Sequence, residues 1–349
     1  MSIGGFPSSR CFLILFLAGI FLLPAQARSA ESENKAERAE LFVALLKRRA
    51  ERILEAHRAP PPPLVSVSGG VSGGVETNVN LDGSRKGDYF TEESFGLTLR
   101  PKLQEWLHGE FSYNLLNTQF MKLTDSNLWM NTASATLQFQ PHSAVRIDVG
   151  YEYGILNFPE DTASSFTDHR VRAFLLLAHT SWLTHKIGWT YQEREYDTRL
   201  ARDTDQNQIA GVVREDKRHI PSYEMQFKFP KTFMRLGGEF YQNFSNDQFQ
   251  EFYDWEDIRF RGALTRVFTP KWLGTISVSH ERKNYAVRSV PAINVAERDN
   301  LLTLAGSLIY QLTEHASVTY SLTYRFQDSN DPRLDFTDWI QQAGISVNF

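Results

Sequence analysis

The 349-residue chain holds one cysteine, Cys11. It opens an apolar run, Cys11 to Leu23, that is preceded by Arg10, broken by Pro24 and followed by Ala25-Gln26-Ala27. A positive flank, about a dozen apolar residues and a small-x-small site make an export signal, and such a run is too short to span a bilayer comfortably. Residues 1–27 are therefore expected to be removed, and Cys11 with them. A mature chain without cysteine excludes a disulfide framework, a Cys-based metal site and a thiol nucleophile.

Other absences narrow the function. No further segment is apolar enough for a transmembrane helix. Charge is nearly balanced, with 37 Lys and Arg against 41 Asp and Glu, and no Lys/Arg stripe marks a nucleic-acid partner. The histidines are scattered, without an H-E-x-x-H pair, a Cys/His cluster or an acidic calcium loop, so no metal or cofactor is expected. Gly70-Val71-Ser72-Gly73-Gly74 matches the G-x-S-x-G pattern, but it lies inside an extended segment instead of at a strand–turn–helix elbow. His179 and His280 find no serine at matching depth. The chain is not expected to be an enzyme.

What is present is alternation. Mean hydropathy is −0.37, yet aromatics make up 13% of the residues, a combination that suits strands with one apolar face. In 144–158, Val145, Ile147, Val149, Tyr151, Tyr153 and Ile155 share one face, with Arg146, Asp148, Gly150, Glu152 and Gly154 opposite. Fourteen such segments lie between residues 64 and 349. Most run ten residues or more, enough to cross a bilayer at a tilt of about 45°. A sheet in lipid must also close, because an open edge leaves backbone groups unpaired. The expected fold is all-β: a transmembrane antiparallel up-and-down barrel of about 14 strands over 64–349.

Connections alternate in length. Tight turns fall near Pro101, Pro141, Leu183, Pro230, Pro270 and Thr313. Polar links of roughly 80–91, 118–127, 158–168, 197–217, 245–254, 286–298 and 329–335 fall between them. Short inner turns and long outer loops are the pattern of a bacterial outer-membrane barrel, which places both termini in the periplasm. Trp106, Phe139, Trp182, Phe229, Phe268, Trp272 and Tyr310 lie where the tight turns meet the strands, as an inner aromatic girdle would. The last strand ends Ala343-Gly344-Ile345-Ser346-Val347-Asn348-Phe349. A terminal aromatic strand resembles the signal read by the barrel-assembly machinery, with Phe349 as the recognised residue.

The inward face then holds both signs of charge: Glu110, Arg146, Asp148, Glu152, Arg170, Arg172, Arg194, Arg235, Glu239, Arg259, Arg261 and Arg325, together with Lys186, Glu224, Lys228, Asp257 and Glu281. These groups could line a polar pore, or pair across the lumen and seal it; alternation does not reveal a pore radius. Strand one carries Gly69, Gly70, Gly73 and Gly74, which mark either a bend or a weak seam.

Before the barrel, residues 28–59 read as one amphipathic periplasmic helix whose apolar side includes Phe42, Leu45, Leu46 and Ile53. Residues 60–63 are four prolines, a stiff spacer. A lone apolar stripe in water suggests a periplasmic protein partner, beside the lipid of the outer membrane itself.

Gly73-Gly74-Val75-Glu76-Thr77-Asn78-Val79-Asn80 resembles the glycine-rich first strand of an outer-membrane β-barrel porin family, and the opening of the barrel domain in surface lipoprotein assembly modifiers. Those proteins couple periplasmic helical repeats to a barrel, in the modifiers one of fourteen strands; here Val75 and Glu76 replace the usual Tyr-Asp and one helix stands in place of the repeats. The resemblance implies a barrel and transfers no site residue. Two functions follow: a channel that passes or exports a polar solute or polymer, or a non-conducting barrel that acts as an assembly or surface-export scaffold.

Overall fold

The computed structural model describes residues 63–349, apart from 82–84, 204, 206, 248–250 and 291–292. The export signal, the helix with Phe42, Leu45, Leu46 and Ile53, and prolines 60–62 lie outside the described residues.

Among the described residues the strands run, in chain order, β1 (Val65–Glu76), β2 (Asp88–Leu99), β3 (Lys102–Gln104), β4 (Leu107–Phe120), β5 (Leu128–His142), β6 (Val145–Asn157), β7 (Phe166–Ala178) and β8 (Leu183–Arg202). They continue as β9 (Gln208–Phe229), β10 (Thr232–Ser245), β11 (Trp255–Thr269), β12 (Trp272–Val290), β13 (Val295–Gln311), β14 (Ala316–Ser329) and β15 (Phe336–Asn348). All belong to one sheet, in which each long strand pairs antiparallel with its sequence neighbours. β1 pairs with β15, and β2 pairs directly with β4. Fourteen long strands therefore close on themselves, and the three-residue β3 is a stub in the turn between β2 and β4.

The ring turns the usual burial rule inside out. Val71, Phe260 and Ile276 are 62%, 62% and 69% exposed. Glu152, Asp168, Arg194, Asp216, Asp257, Arg259 and Asp338 are buried. Apolar side chains on the outside and ionised ones within suit a sheet whose solvent is hydrocarbon, where a cation near the midplane costs about 2–4 kcal/mol.

The registers set the size of the ring. From Ser68 the pairs lead across to Gly96, Asn114, Thr132, Gly154, Asp168, Arg194, Asp216 and Ser245. Carried on through β11 to β15, the row returns to β1 displaced by about 18 residues. With ~3.3 Å along each strand and ~4.8 Å between strands, that stagger gives a tilt of about 40° and a backbone diameter of ~29 Å. A ring of this width leaves a hollow wherever the inward side chains are small.

Short and long connections alternate as the sequence predicts, but two long links change character. The expected loops 197–217 and 286–298 are strand for most of their length: β8 and β9 extend to Arg202 and from Gln208, and β12 and β13 extend to Val290 and from Val295. Pairing continues past bulges, as in Leu200 with Val213 and Ser289 with Ala296. Inward Arg214 and Asp216 anchor the first extension, and Arg288 with Glu297 (2.9 Å) the second. β2 and β7 likewise start earlier than expected, at Asp88 and Phe166.

Aromatic rings mark the membrane levels. At the tight-turn end Trp106 meets Phe139 (5.2 Å between centroids), Trp182 stacks on Phe229 (6.2 Å) and Trp272 meets Tyr310 (4.7 Å). A second group, unnoticed in the sequence, faces outward higher up. Tyr151 and Tyr153 pack on His169, and Tyr191 on Trp189 and His219. Nine residues separate Trp182 from Tyr191, a rise of about 22 Å at that tilt, close to the ~25 Å apolar band of such barrels. Just beyond, Lys217 pairs with Glu193 (3.4 Å) and Glu215 (2.8 Å) on the outer surface, where charge is no longer penalised.

The glycine-rich β1 is not bulged: it pairs without interruption to β2 over Val65–Glu76 and to β15 over Ser68–Glu76. Gly74 is there for close approach, since a Cβ would lie 2.4 Å from the Gln341 carbonyl oxygen and 2.6 Å from the Phe90 ring. The outer end of this seam is latched. Arg325 on β14 donates to Asp338 on β15 (2.6 Å) and to Glu76 on β1, while Asp338 accepts from Thr77 Oγ1 (3.1 Å) and the Asn78 amide (2.9 Å). At the other end Phe349 exchanges two backbone hydrogen bonds with Val67, each 2.9 Å. Arg325→Ala would strand two carboxylates inside the wall at a cost of about 3–5 kcal/mol. The folded band on unheated detergent gels should then disappear at a lower temperature than in the parent or in Arg325→Lys; an unchanged transition in Arg325→Ala would show that the latch contributes nothing.

Candidate functional site: a charged cavity within the ring

A cavity of about 390 Å³ lies inside the barrel against the wall formed by β5 to β11. Period-two alternation builds its lining: Glu152 and Gly154 from β6, Asp168, Arg170 and Arg172 from β7, then Lys186, Thr190, Gln192 and Arg194 from β8. The arc continues with Arg218, Ser222, Glu224 and Gln226 from β9, Arg235, Glu239 and Tyr241 from β10, and Arg259 and Arg261 from β11. Eight cationic side chains face four carboxylates across this lining.

The charges are held in shared pairs. Glu152 takes Arg170 at 3.2 Å and Arg172 at 3.4 Å, and Asp168 takes Arg170 as well as Arg194 at 3.7 Å. Gln192 Nε2 donates to both oxygens of Asp168 (2.7 and 2.8 Å). Arg261 Nη1 donates to Glu239 (2.9 Å), which also accepts from the Tyr241 hydroxyl (2.7 Å). Behind the lining, Asp216 holds Arg214 and Arg218, and Arg259 lies between Asp257 (2.5 Å) and Glu281 (3.0 Å). Rings steady several cations: Lys186 stands 3.8 Å over Phe174, Arg194 3.9 Å over Phe166, and Arg259 4.0 Å over Tyr241.

The facing wall is different. Small polar side chains alternate along β1, β2, β4, β5, β14 and β15, among them Ser72, Ser94, Ser112, Ser134, Ser317 and Ser346. They satisfy one another, Ser112 with Ser134 (2.7 Å), Ser317 with Ser346 (2.9 Å), and Gln342 Nε2 with Ser72 (2.6 Å). Small hydroxyls leave space, and the charges these strands turn inward, Glu76, Glu92, Glu110, Arg325 and Asp338, stand apart from the cavity.

Of the twelve lumen candidates, Glu152, Arg170, Arg172, Arg194, Arg235, Glu239, Arg259 and Arg261 come together around this cavity. Four stand elsewhere. Glu110 pairs with Arg100 (3.2 Å) and Arg146 with Asp148 (2.9 Å) toward the tight-turn end, and Arg325 belongs to the seam. Asp168, Asp216 and Arg218 are not among the sequence candidates. The first two fall in the polar stretches 158–168 and 197–217, where the structure has β7 and β9. The signal was available: Arg214, Asp216, Arg218 and Ile220 keep the period of two without a break.

No protein-family model matches the chain, and no curated protein matches it. Among solved structures, outer-membrane-expressed OmpT of Vibrio cholerae is similar with a TM-score of 0.49 at 8% identity, over 84% of this chain and all of that one (100%). An anion-selective porin from Comamonas acidovorans gives 0.48 at 10% identity, over 82% and 99% of the two chains. OccAB4 of Acinetobacter baumannii gives 0.40 at 8% identity, over 83% and 100%. Likeness of this degree says nothing about solute or activity.

At the long-loop end a packed layer covers the outer strands. Phe252 and Tyr253 are buried, with Arg214 3.7 Å over Tyr253 and Arg288 5.6 Å over Phe252. Next to them Asp254 accepts from the Ser245 amide (2.7 Å). Burial pushes its carboxyl up to about 6; the Ser245 bond works against this, and nearby Asp247 adds to it. The folded loop thus holds this proton more tightly than an unfolded chain would. Asp254 stabilises the loop fully below about pH 4, less as pH rises, and no further change occurs above about 6. Protection of the amides of residues 245–247 and 251–254 against hydrogen exchange, corrected for intrinsic rates, should fall between pH 4.5 and 7 in the parent and stay flat in Asp254→Asn. The same pH dependence in both would rule Asp254 out as its source.

Proposed function

We propose that this chain is a bacterial outer-membrane channel that passes or exports a polar solute or polymer, with both chain termini in the periplasm. The observation that carries it is the cavity itself, a hollow inside a closed ring whose lining gathers eight cationic side chains and four carboxylates. A barrel that served only as an anchor would gain by filling this space with side chains, because cohesive packing stabilises and unfilled polar volume does not. The tight turns and the closing residue Phe349 lie at one end of the ring, the end we assign to the periplasm and to the barrel-assembly machinery. No catalytic step or cofactor enters this function.

The second reading, a non-conducting scaffold with the 28–59 helix touching a periplasmic protein, draws on Phe252 and Tyr253, which are buried against Arg288 and Arg214 at the long-loop end. Planar bilayers separate the two. Purified full-length protein should give discrete unitary conductance, and Phe252→Ala with Tyr253→Ala should enlarge or lengthen the open events by thinning the layer. Silence in both proteins, together with capture of a periplasmic protein that is lost on deleting residues 28–59, would establish the scaffold instead.

A further inference from the structure

We infer that the cavity is a binding station for a small hydroxylated oxyanion, a sugar acid or a sugar phosphate, on the solute's way through the ring. This rests on the channel reading for its place in transport, but the site stands on its own geometry.

Shared pairing is the first reason. One carboxylate, Glu152, serves both Arg170 and Arg172, so positive charge exceeds negative along this arc whatever hydrogen bonds each guanidinium makes. The excess survives a wider count. When the residues behind the lining are included (Asp216, Asp257 and Glu281 on one side, Arg214 and Lys283 on the other), ten cations still face seven carboxylates. A lining in which cations outnumber carboxylates two to one, set in a low-dielectric wall, concentrates counter-ions along its own arc.

The donor set then narrows the class. Planar guanidinium forks suit carboxylate and phosphate oxygens. Glu224 and Glu239 also line the cavity. They would repel a bare anion, yet they can accept from the hydroxyls of one that carries them, and Thr190, Ser222 and Gln226 offer further partners. A volume of about 390 Å³ falls at the small end of ligand pockets and fits a single sugar ring with its acid group.

The experiment uses the full-length protein in planar bilayers under a tenfold potassium chloride gradient, followed by block with glucuronate, glucose 6-phosphate and uncharged glucose. We expect a reversal potential on the anion-selective side, and block by one or both acidic sugars at concentrations at least tenfold below that for glucose. The better blocker tells a carboxylate solute from a phosphorylated one. Arg172→Ala with Arg235→Ala should remove most of the preference, and the corresponding lysine pair should retain it, with gel mobility confirming folded barrels. A channel that conducts without anion preference, or that treats glucose and both acids alike, overturns the inference and leaves the channel reading standing. If the bilayers stay silent, calorimetric titration of the detergent-folded barrel with the same three sugars decides. Acid binding that the alanine pair abolishes supports the site while removing the channel, and no binding removes the site.

Discussion

Everything in this molecule depends on the sheet having no edge. Hydrocarbon offers no partner to a backbone amide or carbonyl, so each unpaired group there costs several kcal/mol. β1 meets this demand by pairing along its length with β2 on one side and β15 on the other. The junction of first and last strands is where closure is hardest, because no tight turn brings these two together and chain-closure entropy is largest there. The seam is accordingly fastened at both ends, by Phe349 with Val67 at the turn end and by Arg325, Asp338 and Glu76 at the loop end. The glycines of β1 fit this role. Gly74 lets the Phe90 ring and the Gln341 carbonyl come within contact of the backbone, which draws three strands together where a side chain would hold them apart.

Closure fixes which residues face inward, and this creates the second problem, where to put charge. Alternation sends every second side chain into the ring, and the ring's outer half carries acids and bases on adjacent strands. Burying them singly would be prohibitive, and the structure shares them: Asp216 between Arg214 and Arg218, Asp168 between Arg170 and Arg194, Arg259 between Asp257 and Glu281. Sharing stabilises ions that water cannot fully reach. It also fixes side chains that would otherwise sweep the lumen, so the cavity keeps its shape. The aromatic platforms under Lys186, Arg194 and Arg259 act in the same direction.

Much of this was legible in the amino-acid order, and the unreadable parts have physical causes. Period-two alternation of long segments is a backbone property, so the strand number, the closed ring and the alternating turn lengths could be read from it directly. The inner girdle was readable because Trp106, Trp182 and Trp272 sit beside turn residues. The outer girdle was not, since Tyr151 and Tyr191 lie mid-segment and His169 and His219 follow polar stretches that fix no membrane level. The loops 197–217 and 286–298 misled because their composition is polar and charged. Above the lipid band both faces of a strand are wet or ion-paired, so hydrophobic alternation fades although hydrogen bonding continues. The same effect hid Asp168 and Asp216. Alternation of charge with small or polar residues persisted there, and it is the better guide once a strand leaves the membrane.

The sequence also could not show that charge is gathered on one arc. Facing tells in from out, but location around the ring depends on the order and stagger of all fourteen strands. Arg170, Arg194, Arg235 and Arg261 are spread over ninety residues of sequence, and the registers bring them to one wall. Serines more than two hundred residues apart, such as Ser72 and Ser317, fall on the other. A uniformly charged lumen of the same composition would be close to neutral at every point. Segregation leaves a nearly balanced chain with an excess of cations on one arc, and the proposed preference among solutes rests on that asymmetry and not on the width of the ring.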